Sequence, residues 1–339
     1  MVRSPSASLN RRQFLHLLTA GVGATLCIGT GLYRWHRIGR WHAVTRSRVM
    51  LGTMISMTVH HQDLRGAHAA LDAAFDAMAA VDRCMSIHRA DSDLSRVNAA
   101  AGRLAVPVAP ALCEVVMEAQ RLTQLTDGAY DPTCLPLLRL YGFYRDGSSV
   151  RHLPTERHIA ALLERIGAHH IVIDTTQQTI GLLRAGAAID LGSIGKGYAV
   201  DRAAAALRRG GIAHALIDAG GNILAMGAPQ LDGETEAGWR VGIRNPAGTA
   251  AAPYFSTITL RDEAVATSGN YEHAVWLDGR RIGHLFDATT GHPVERGVSA
   301  TVVAASATLA DGLSSSAFLL WSRAEAALGS CAKEILLYG

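Results

Sequence analysis

One stretch of this chain combines a carboxylate, a Gly-rich turn and a lysine. The residues from Asp190 to Asp201 have the sequence D-L-G-S-I-G-K-G-Y-A-V-D. We predict an apolar strand end at 187–189 before this turn and a helix at 198–209 after it. Glycines let backbone N–H groups approach an anion, and a helix N-terminus favours negative charge. A carboxylate there suits Mg2+ or a donor on a nucleotide. The spacing matches neither a P-loop nor a dinucleotide fingerprint, so an anion site and a tightly packed strand–helix connection both stay open.

A second pair of oxygen-bearing side chains lies near the start of a predicted helix at 308–321. Asp311 and Ser315 are four residues apart, so both would lie on one helix face about one turn apart. Such hard oxygen ligands suit Mg2+, which takes few protein ligands beside phosphates. An Asp favoured by the helix dipole, followed by small residues that pack closely, explains the same pattern. The spacing therefore predicts either a metal site or an ordinary helix terminus.

His284 lies at the end of a predicted strand and precedes the turn sequence D-A-T-T-G at 287–291. A neutral imidazole can accept a proton near neutral pH. The chain has 15 histidines, however, and a histidine among apolar neighbours is usually structural. Asp287 could either orient such a base or cap the turn. The residue types alone leave these interpretations open.

Six short segments occur in a fixed order along the chain. They are G-A-Y-D-P-T at 128–133, the 190–201 segment, A-G-G-N at 219–222, A-T-S-G-N-Y at 266–271, H-L-F-D-A-T-T-G-H-P at 284–293 and A-D-G-L-S-S at 310–315. Together they resemble the ApbE family of FAD:protein FMN transferases, from about Leu51 to the C-terminus. The resemblance implies a Mg2+-dependent enzyme that cleaves the pyrophosphate of FAD. It would attach FMN through its phosphate to a Thr or Ser of another protein and release AMP.

The resemblance also implies roles for single residues. Asp311, Ser315 and the backbone carbonyl of Ser193 correspond to the metal ligands. His284 corresponds to the general base that takes the proton of the acceptor hydroxyl. The residues that correspond to FAD contacts are Leu51, His88, Ala129, Tyr130, Asp131, Asp190, Lys196 and Leu285.

Four positions depart from the family pattern. Leu51 replaces the Met of M-G-T, and His88 replaces a Tyr that contacts the flavin. Ala288 replaces a Pro, and Ser315 replaces a Thr. An imidazole offers less stacking area than a phenol, so flavin affinity or orientation is expected to differ. The serine keeps the metal-binding hydroxyl, and Ala288 removes no functional group.

Length and composition limit the number of domains and the kinds of partner that the chain can have. The chain has 339 residues, 49% hydrophobic and 18% charged, with a net charge of +3. This length allows one large domain or two modest ones, and the charge is too small to indicate a nucleic-acid partner. The five cysteines show no C-x-x-C or Cys/His spacing, so a zinc site is not predicted.

The N-terminus carries an export signal. N-R-R-Q-F-L at 10–15 is typical of a twin-arginine leader, and a Gly- and Ala-rich apolar run follows at 17–32. We predict a leader and basic linker at 1–45, one transferase domain at 46–339 and a periplasmic protein. A cytosolic basic arm is the alternative, and retention at the inner membrane by an uncleaved leader stays open. An exported member resembles the NosX-like accessory flavin transferases of nitrous-oxide respiration, which implies an acceptor subunit in a membrane electron-transfer complex.

Hydrophobic periodicity predicts the supporting elements. Helices are predicted at 63–85, 110–126, 155–166, 198–209, 308–321 and 324–328. Strands are predicted at 49–60, 170–174, 179–183, 214–218, 222–226, 239–243, 255–260, 273–277, 281–286, 298–304 and 334–338. This mixture indicates an α+β fold with a large, mostly antiparallel sheet system and flanking helices.

The sequence as a whole predicts Mg2+-dependent transfer of FMN from FAD to a Thr or Ser of an exported acceptor. Two alternatives remain. A FAD pyrophosphatase would use water as the nucleophile, and a flavin-binding carrier would not catalyse transfer. The departures from the family pattern keep the carrier open, whereas the intact Asp311, Lys196 and His284 argue against it.

Overall fold

The main sheet combines strands of alternating burial, such as His42–Met50 and His214–Ala219, with an inner strand at Ser299–Ala304 that is buried throughout, and helices cover one of its faces. The computed structural model of the chain describes residues 41–144, 150–231, 234–250, 252–271, 273–295 and 297–339. Its helices are α1 (Leu64–Met85), α2 (Asp93–Ala99), α3 (Pro110–Leu125), α4 (Leu135–Leu140), α5 (Glu156–Leu163), α6 (Gly195–Arg209), α7 (Ala307–Leu320) and α8 (Ala324–Leu328), with 3-10 turns at Ala168–His170 and Trp321–Arg323. Its strands are β1 (His42–Met50), β2 (Thr53–His61), β3 (Val106–Pro107), β4 (Ile171–Asp174), β5 (Thr179–Leu182), β6 (His214–Ala219), β7 (Asn222–Met226), β8 (Gln230–Leu231), β9 (Glu234–Thr235), β10 (Trp239–Arg244), β11 (Tyr254–Leu260), β12 (Ala264–Gly269), β13 (Ala274–Leu277), β14 (Arg280–Gly283), β15 (Phe286–Asp287), β16 (His292–Pro293), β17 (Ser299–Ala304) and β18 (Glu334–Tyr338).

Seven strands of the described chain form one antiparallel sheet in the order β1-β2-β6-β7-β12-β17-β18. Successive side chains of a strand point to opposite faces. One face, with Ile55, Met57 and Ile217, is buried against α1, α6 and α7. The other face, with Ile223 and Val265, is covered by the β10–β11 hairpin. This architecture confirms the predicted α+β class.

The helices pack side by side on the sheet. α1 begins where the Asp63 carboxylate accepts hydrogen bonds from the N–H groups of Arg65 and Gly66. Its buried residues recur at helical spacing: Ala67, Ala70, Leu71, Ala74, Phe75, Met78, Val81 and Met85. α1 packs against α6, and α6 packs against α7. This row sets the first turn of α6 directly beside α7.

A smaller apolar cluster supports the segment that follows His284. Its buried members are Leu137, Leu138, Tyr141, Phe143, Ile159, Ile166, Leu277, Ile282, Phe286 and Ala288. The ring centroids of Tyr141 and Phe143 lie 4.7 and 6.1 Å from that of Phe286. The turn after α4 therefore anchors β15.

Two predicted strands need correction. The strand predicted at 49–60 is a hairpin, because β1 ends at Met50 and β2 begins at Thr53. Leu51 and Gly52 form its turn with φ angles of 52° and 72°, and two positive φ angles are typical of a type I′ turn. The segment predicted as a strand at 187–189 makes only one isolated bridge, from Ala188 to Cys134.

Other predicted boundaries shift. The helix predicted from residue 198 begins at Gly195, so Lys196 lies in its first turn. The predicted domain boundary after residue 45 falls inside β1. The compact unit of the described chain is Arg40–Gly339. β12 and α2 are not among the predicted elements, because neither has a clear apolar period in the sequence.

No helix within the described residues has the length and apolar character needed to span a membrane. The described cysteines, Cys84, Cys113, Cys134 and Cys331, form no disulfide. The predicted twin-arginine motif at 10–15 and the apolar run at 17–32 lie outside the described residues.

Candidate active site

The Gly-rich turn and the first turn of α6 lie directly against α7. The backbone N–H of Gly197 donates to Asp311 Oδ2 at 2.9 Å. A Cβ atom at Gly197 would lie 2.1 Å from the carbonyl oxygen of Ala307. One turn further along α6, the Asp201 carboxylate accepts hydrogen bonds from the N–H groups of Ala307 and Thr308. The glycine permits the close approach of the two helices, and Asp201 caps the N-terminus of α7 from outside.

Lys196 lies at the centre of the charged groups. Its Nζ donates to the carbonyl oxygen of Gly192 at 2.9 Å, which holds the ammonium group over the turn. Its positive charge opposes the rise in pKa that burial causes at Asp190 and Asp311. The same charge contributes to the lowered pKa of His284. The fold thus brings three residues that are far apart in sequence within electrostatic reach of one lysine.

Asp311 is a buried carboxylate, with 4% of its surface exposed. Burial raises its pKa, whereas Lys196, the Gly197 N–H group and the side chain of Asn222 favour its charged form. A carboxylate has about four acceptor positions on its two oxygens, and the hydrogen bond from Gly197 leaves others free. Asp311 therefore keeps the capacity to bind a cation.

Two serines complete the predicted metal ligands. Ser315, one turn after Asp311, has its hydroxyl 3.0 Å from the hydroxyl of Ser268 on β12. The Ser193 hydroxyl donates to the Tyr130 hydroxyl at 3.0 Å, so its side chain is bonded within the protein. The backbone carbonyl of Ser193 is the oxygen that corresponds to a metal ligand.

The donor set fits one kind of metal. Among the residues that the structure describes, no three His, Cys, Asp or Glu side chains come together as a metal site. A carboxylate, a hydroxyl and a carbonyl are hard oxygen donors, and Mg2+ accepts such a small set when phosphate and water complete its shell. The buried and incompletely bonded Asp311 fits this chemistry, whereas a metal bound only by protein ligands does not.

His284 follows β14, and one hydrogen bond indicates which of its ring nitrogens carries the proton. Its Nδ1 lies 3.2 Å from the carbonyl oxygen of His273. Because a carbonyl can only accept, Nδ1 carries the proton in the neutral ring and Nε2 is left as the proton acceptor. Burial lowers the pKa of His284 to about 4, and the charges of His273 and Lys196 add to this effect. The ring is therefore neutral at neutral pH.

Asp287 serves the turn rather than the histidine. Its Oδ1 accepts hydrogen bonds from the Thr289 N–H group at 2.9 Å and from the Thr289 hydroxyl at 2.6 Å. Its carbonyl oxygen accepts from the Gly291 N–H group at 2.8 Å. These bonds favour the turn-capping interpretation of Asp287.

The G-A-Y-D-P-T segment sends consecutive side chains in different directions. Tyr130 is buried against Ser193, and burial raises the pKa of its hydroxyl. The Asp131 carboxylate instead accepts from Thr133 and from the N–H group of Ala168. The residues grouped around Lys196 are Asp190, Ser193, His284 and Asp311, called the Lys196 cluster below. Tyr130 belongs to this cluster through Ser193, whereas Asp131 bonds this segment to the 3-10 turn at Ala168–His170.

Three other predicted FAD contacts have apolar side chains. The carbonyl of Ala129 accepts from the N–H group of Ala288 at 3.1 Å. Leu285 is buried in the main core, and Leu51 packs partly against the same core from the β1–β2 turn. Their roles as FAD contacts stay predictions.

His88 lies near Asp190 beside an aromatic residue that the sequence motifs do not include. The ring of His88 meets the ring of Tyr144 edge-on, with centroids 5.5 Å apart and an interplanar angle of 71°. The Tyr144 hydroxyl lies near the Asp190 carboxylate, close to Gly192. Asp190 Oδ1 accepts from the Gly192 N–H group at 3.0 Å. Desolvation raises the pKa of Asp190, and these neighbours limit the rise.

Sequence reasoning missed five residues of this site: Asp201, Asn222, Ser268, His273 and Tyr144. Asp201, Asn222 and Ser268 lie within the quoted motifs, and this position in the sequence indicated a functional role for each of them. His273 and Tyr144 lie outside every motif and gave no signal.

Comparison with known proteins identifies the family of this chain. The ApbE family matches residues 51–334 of the chain. The chain therefore belongs to the ApbE family.

The relatives share one name. A FAD:protein FMN transferase of Treponema pallidum is 30% identical over 310 residues, which cover 88% of this chain and 84% of that protein. Those of Vibrio cholerae and Salmonella typhimurium are 37% and 35% identical over 234 residues, which cover 68% of this chain and 66% and 65% of the relatives.

Solved structures agree on the fold. The ApbE protein of Thermotoga maritima has a TM-score of 0.78 at 28% identity, over 88% of this chain and 94% of its own. The flavinyl transferase ApbE of Pseudomonas stutzeri, in its apo form, has a TM-score of 0.75 at 26% identity, over 88% and 95% of the two chains.

Proposed function

We propose that this protein is a FAD:protein FMN transferase that modifies a Thr or Ser hydroxyl of an exported acceptor protein. One observation carries the proposal. A neutral histidine with a free Nε2, a lysine and a buried carboxylate lie together beside a Gly-rich helix start. Membership of the ApbE family supports FAD as the substrate.

The reaction breaks one bond of the FAD pyrophosphate and forms one new ester bond. The acceptor oxygen attacks the phosphorus atom on the riboflavin side, and the P–O bond to the AMP half breaks. His284 Nε2 takes the acceptor proton, and AMP leaves with the bridging oxygen. The product is a phosphoester between FMN and the acceptor, so atoms and charges balance. Lys196, which faces both Asp190 and Asp311, stabilises the negative charge of the pyrophosphate.

Mg2+ is part of the proposal. Asp311, the Ser315 hydroxyl and the Ser193 carbonyl would hold it, with phosphate oxygens and water as its other ligands. When bound, it would neutralise phosphate charge that Lys196 alone cannot balance. Burial of Asp311 and its hydrogen bond to Gly197 fix the position of this carboxylate before any ligand arrives.

The predicted leader supports an acceptor outside the cytoplasm. A twin-arginine signal at 10–15 would export the folded protein to the periplasm. The acceptor would then be an exported flavoprotein subunit of a membrane electron-transfer complex, as in the NosX-like subgroup of nitrous-oxide respiration. Residual retention at the inner membrane by an uncleaved leader would be compatible with this acceptor.

Product analysis tests the function. The protein is incubated with FAD, Mg2+ and a candidate exported flavoprotein subunit, and the acceptor is examined by mass spectrometry while AMP is measured. Transfer predicts an acceptor heavier by one FMN phosphoester and an equal amount of AMP. Free FMN with AMP and an unmodified acceptor would indicate a pyrophosphatase, and unchanged FAD would indicate a carrier.

The matched variant for this test is Asp311→Asn. It keeps the side chain's size but removes its charge, so we expect transfer to fall by at least about a hundredfold, with a higher Mg2+ concentration needed for half-maximal rate. Asp76→Asn, at an exposed position of α1, is the control that should transfer normally. Normal transfer by Asp311→Asn at ordinary Mg2+ would contradict the metal assignment.

A further inference from the structure

Tyr144 has a backbone conformation that a tyrosine seldom adopts. Its φ angle is 58°, in the left-handed region where a side chain with a Cβ is strained and glycine is not. Such strain persists where surrounding contacts hold the residue, and it concentrates at functional sites. The local sequence offers no reason for an aromatic residue at this position.

The strain is not explained by core packing. Tyr141 and Phe143, in the same turn, are buried with 2% and 9% of their surfaces exposed, and both contact Phe286. Tyr144 points elsewhere and keeps 43% of its surface exposed. The positive φ therefore directs one ring of this aromatic turn out of the apolar cluster and towards His88 and Asp190.

Two neighbours flank the ring. Its hydroxyl lies near the Asp190 carboxylate, and its centroid lies 5.5 Å from that of the His88 ring. The hydroxyl would lie 3.6 Å from a Cβ at position 192, an ordinary contact distance, so the ring reaches the Gly-rich turn. His88 is itself exposed. The two rings, inclined at 71°, form an open aromatic corner at one end of the Lys196 cluster.

We propose that Tyr144 binds the isoalloxazine ring of FAD, which stacks on the exposed phenol face while His88 contacts the ring edge. This inference rests on the proposed function, because the ligand is the flavin half of its substrate. The isoalloxazine is a large planar aromatic system, and stacked or edge-on contacts between aromatic rings are favourable. An imidazole at position 88 supplies less stacking area than a phenol, and Tyr144 supplies the missing face. Asp190 and His88 flank the phenol, which orders the ring before the flavin binds.

Tyr144→Gly gives a sharp test because it relieves backbone strain while it removes the ring. The binding of FAD and of ADP, which lacks the flavin, is measured by calorimetry for wild type, Tyr144→Gly and Tyr144→Phe, each with a thermal melt. We expect Tyr144→Gly to melt at the wild-type temperature or higher and to bind FAD about tenfold more weakly, the effect of one aromatic stacking contact. Its affinity for ADP should not change. Tyr144→Phe keeps the stacking face and should bind FAD within about threefold of wild type.

Each contrary outcome has a distinct meaning. If Tyr144→Gly binds FAD as tightly as wild type, Tyr144 does not contact the flavin. Equal losses of FAD and ADP affinity would show a general distortion and overturn the inference in the same way. If wild type binds ADP but not FAD, the proposed function itself fails, and this inference fails with it.

Discussion

At the scale of single residues, the site depends on how a few charged groups perturb each other. Lys196 contributes to the electrostatics of Asp190, Asp311 and His284. In the free protein this lysine helps to keep His284 uncharged. Burial is the main cause of the lowered pKa of His284, about 4, and the Lys196 charge adds a small contribution. A bound pyrophosphate would offset that contribution, and the pKa of His284 would then rise slightly. Substrate binding would thus slightly strengthen the base that the reaction needs.

His284→Asn tests this base directly. Asparagine keeps the approximate size of the ring but cannot accept the acceptor proton as an imidazole does. FAD binding should persist, and single-turnover transfer should fall by roughly a hundred- to ten-thousand-fold. His68→Asn, at an exposed position of α1, is the matched control. Transfer close to the wild-type rate would remove His284 from the mechanism.

The pH dependence of wild type provides a second check on His284. The base is active when neutral, so the rate falls as pH drops through its pKa. We expect the acid limb of single-turnover transfer to lie below pH 6.5 and above about 4, the pKa of the free protein. The His284→Asn variant should lose this limb. A wild-type limb at or above the pKa of an unperturbed imidazole would contradict the burial argument.

The same shift has a consequence for stability. The folded pKa is lower than the unfolded one, so the unfolded chain binds a proton first as the pH falls from 6.5 towards 4. The contribution of His284 to stability is therefore lost on acidification through that window. His284→Asn should lose less stability than wild type between pH 7 and 4, as measured by urea unfolding.

The sequence predicted only part of this residue-scale picture. Lys196, Asp311 and His284 belong to segments with recognisable chemistry, and the fold does bring them together. His273 could not be predicted, because it lies outside every motif and only the fold brings its carbonyl and its ring to His284. Tyr144 could not be predicted either, because the direction of its side chain depends on a positive φ, which a tyrosine in the sequence does not indicate.

At the scale of elements, the α6–α7 contact is the feature on which the site depends. Gly197 and Asp201 lie one turn apart on α6, and both contact the start of α7. The first permits the approach, and the second fixes its position. This contact also determines where Asp311 and Ser315 lie, because both are in the following turns of α7.

Gly197→Ala should break the helix contact. The new Cβ would lie 2.1 Å from the carbonyl oxygen of Ala307 and 2.8 Å from the Cβ of Asp311, so the helices must separate. We expect the free energy of unfolding to fall by about 3 kcal/mol, despite the better helix propensity of alanine. Chemical denaturation gives this value, and transfer should fall as well at temperatures where the variant is folded.

Gly195→Ala is the matched control in the same helical turn. The nearest atom to its new Cβ is the Cβ of Leu191 at 3.8 Å, an ordinary contact distance. Its stability should stay the same or rise by up to about 1 kcal/mol. Equal effects of the two alanines would show that the loss comes from backbone flexibility and not from the close approach of α6 and α7.

The prediction of elements succeeded where the hydrophobic periodicity was strong, and it failed where the conformation of a turn determines the structure. α1 follows its apolar pattern, and its predicted start differs from the observed one by a single residue. The β1–β2 hairpin was missed because its turn contains Leu51, whose φ of 52° is unusual for leucine. The segment at 187–189 is apolar enough for a strand, but its burial comes from core packing without a ladder partner beyond one bridge.

At the scale of the whole molecule, we predict separate tasks for the leader and the domain. If residues 10–15 are a twin-arginine signal, they act as an export address that the folded domain does not need. Replacing Arg11 and Arg12 by lysine should therefore leave a folded protein in the cytoplasm that still binds FAD. Cell fractionation with an FAD titration of each fraction measures this outcome. Lysines at Arg37 and Arg40 are the control and should not block export, and periplasmic protein in the double Arg11/Arg12 variant would refute the twin-arginine interpretation.

The domain should begin before β1, at the start of the compact unit, and not at residue 46. A chain that begins at Arg46 loses the edge-strand pairs of His42 with His61 and of Val44 with Val59. Because Val44 also packs partly against the main core, the loss combines ladder hydrogen bonds with apolar burial. We expect this shorter chain to be about 1–3 kcal/mol less stable than a chain that begins at Arg40. Both chains lack the leader, so their urea midpoints isolate the first half of β1. Equal midpoints would place the domain boundary at residue 45 after all, and would mean that the edge strand needs only its last residues to stay paired with β2.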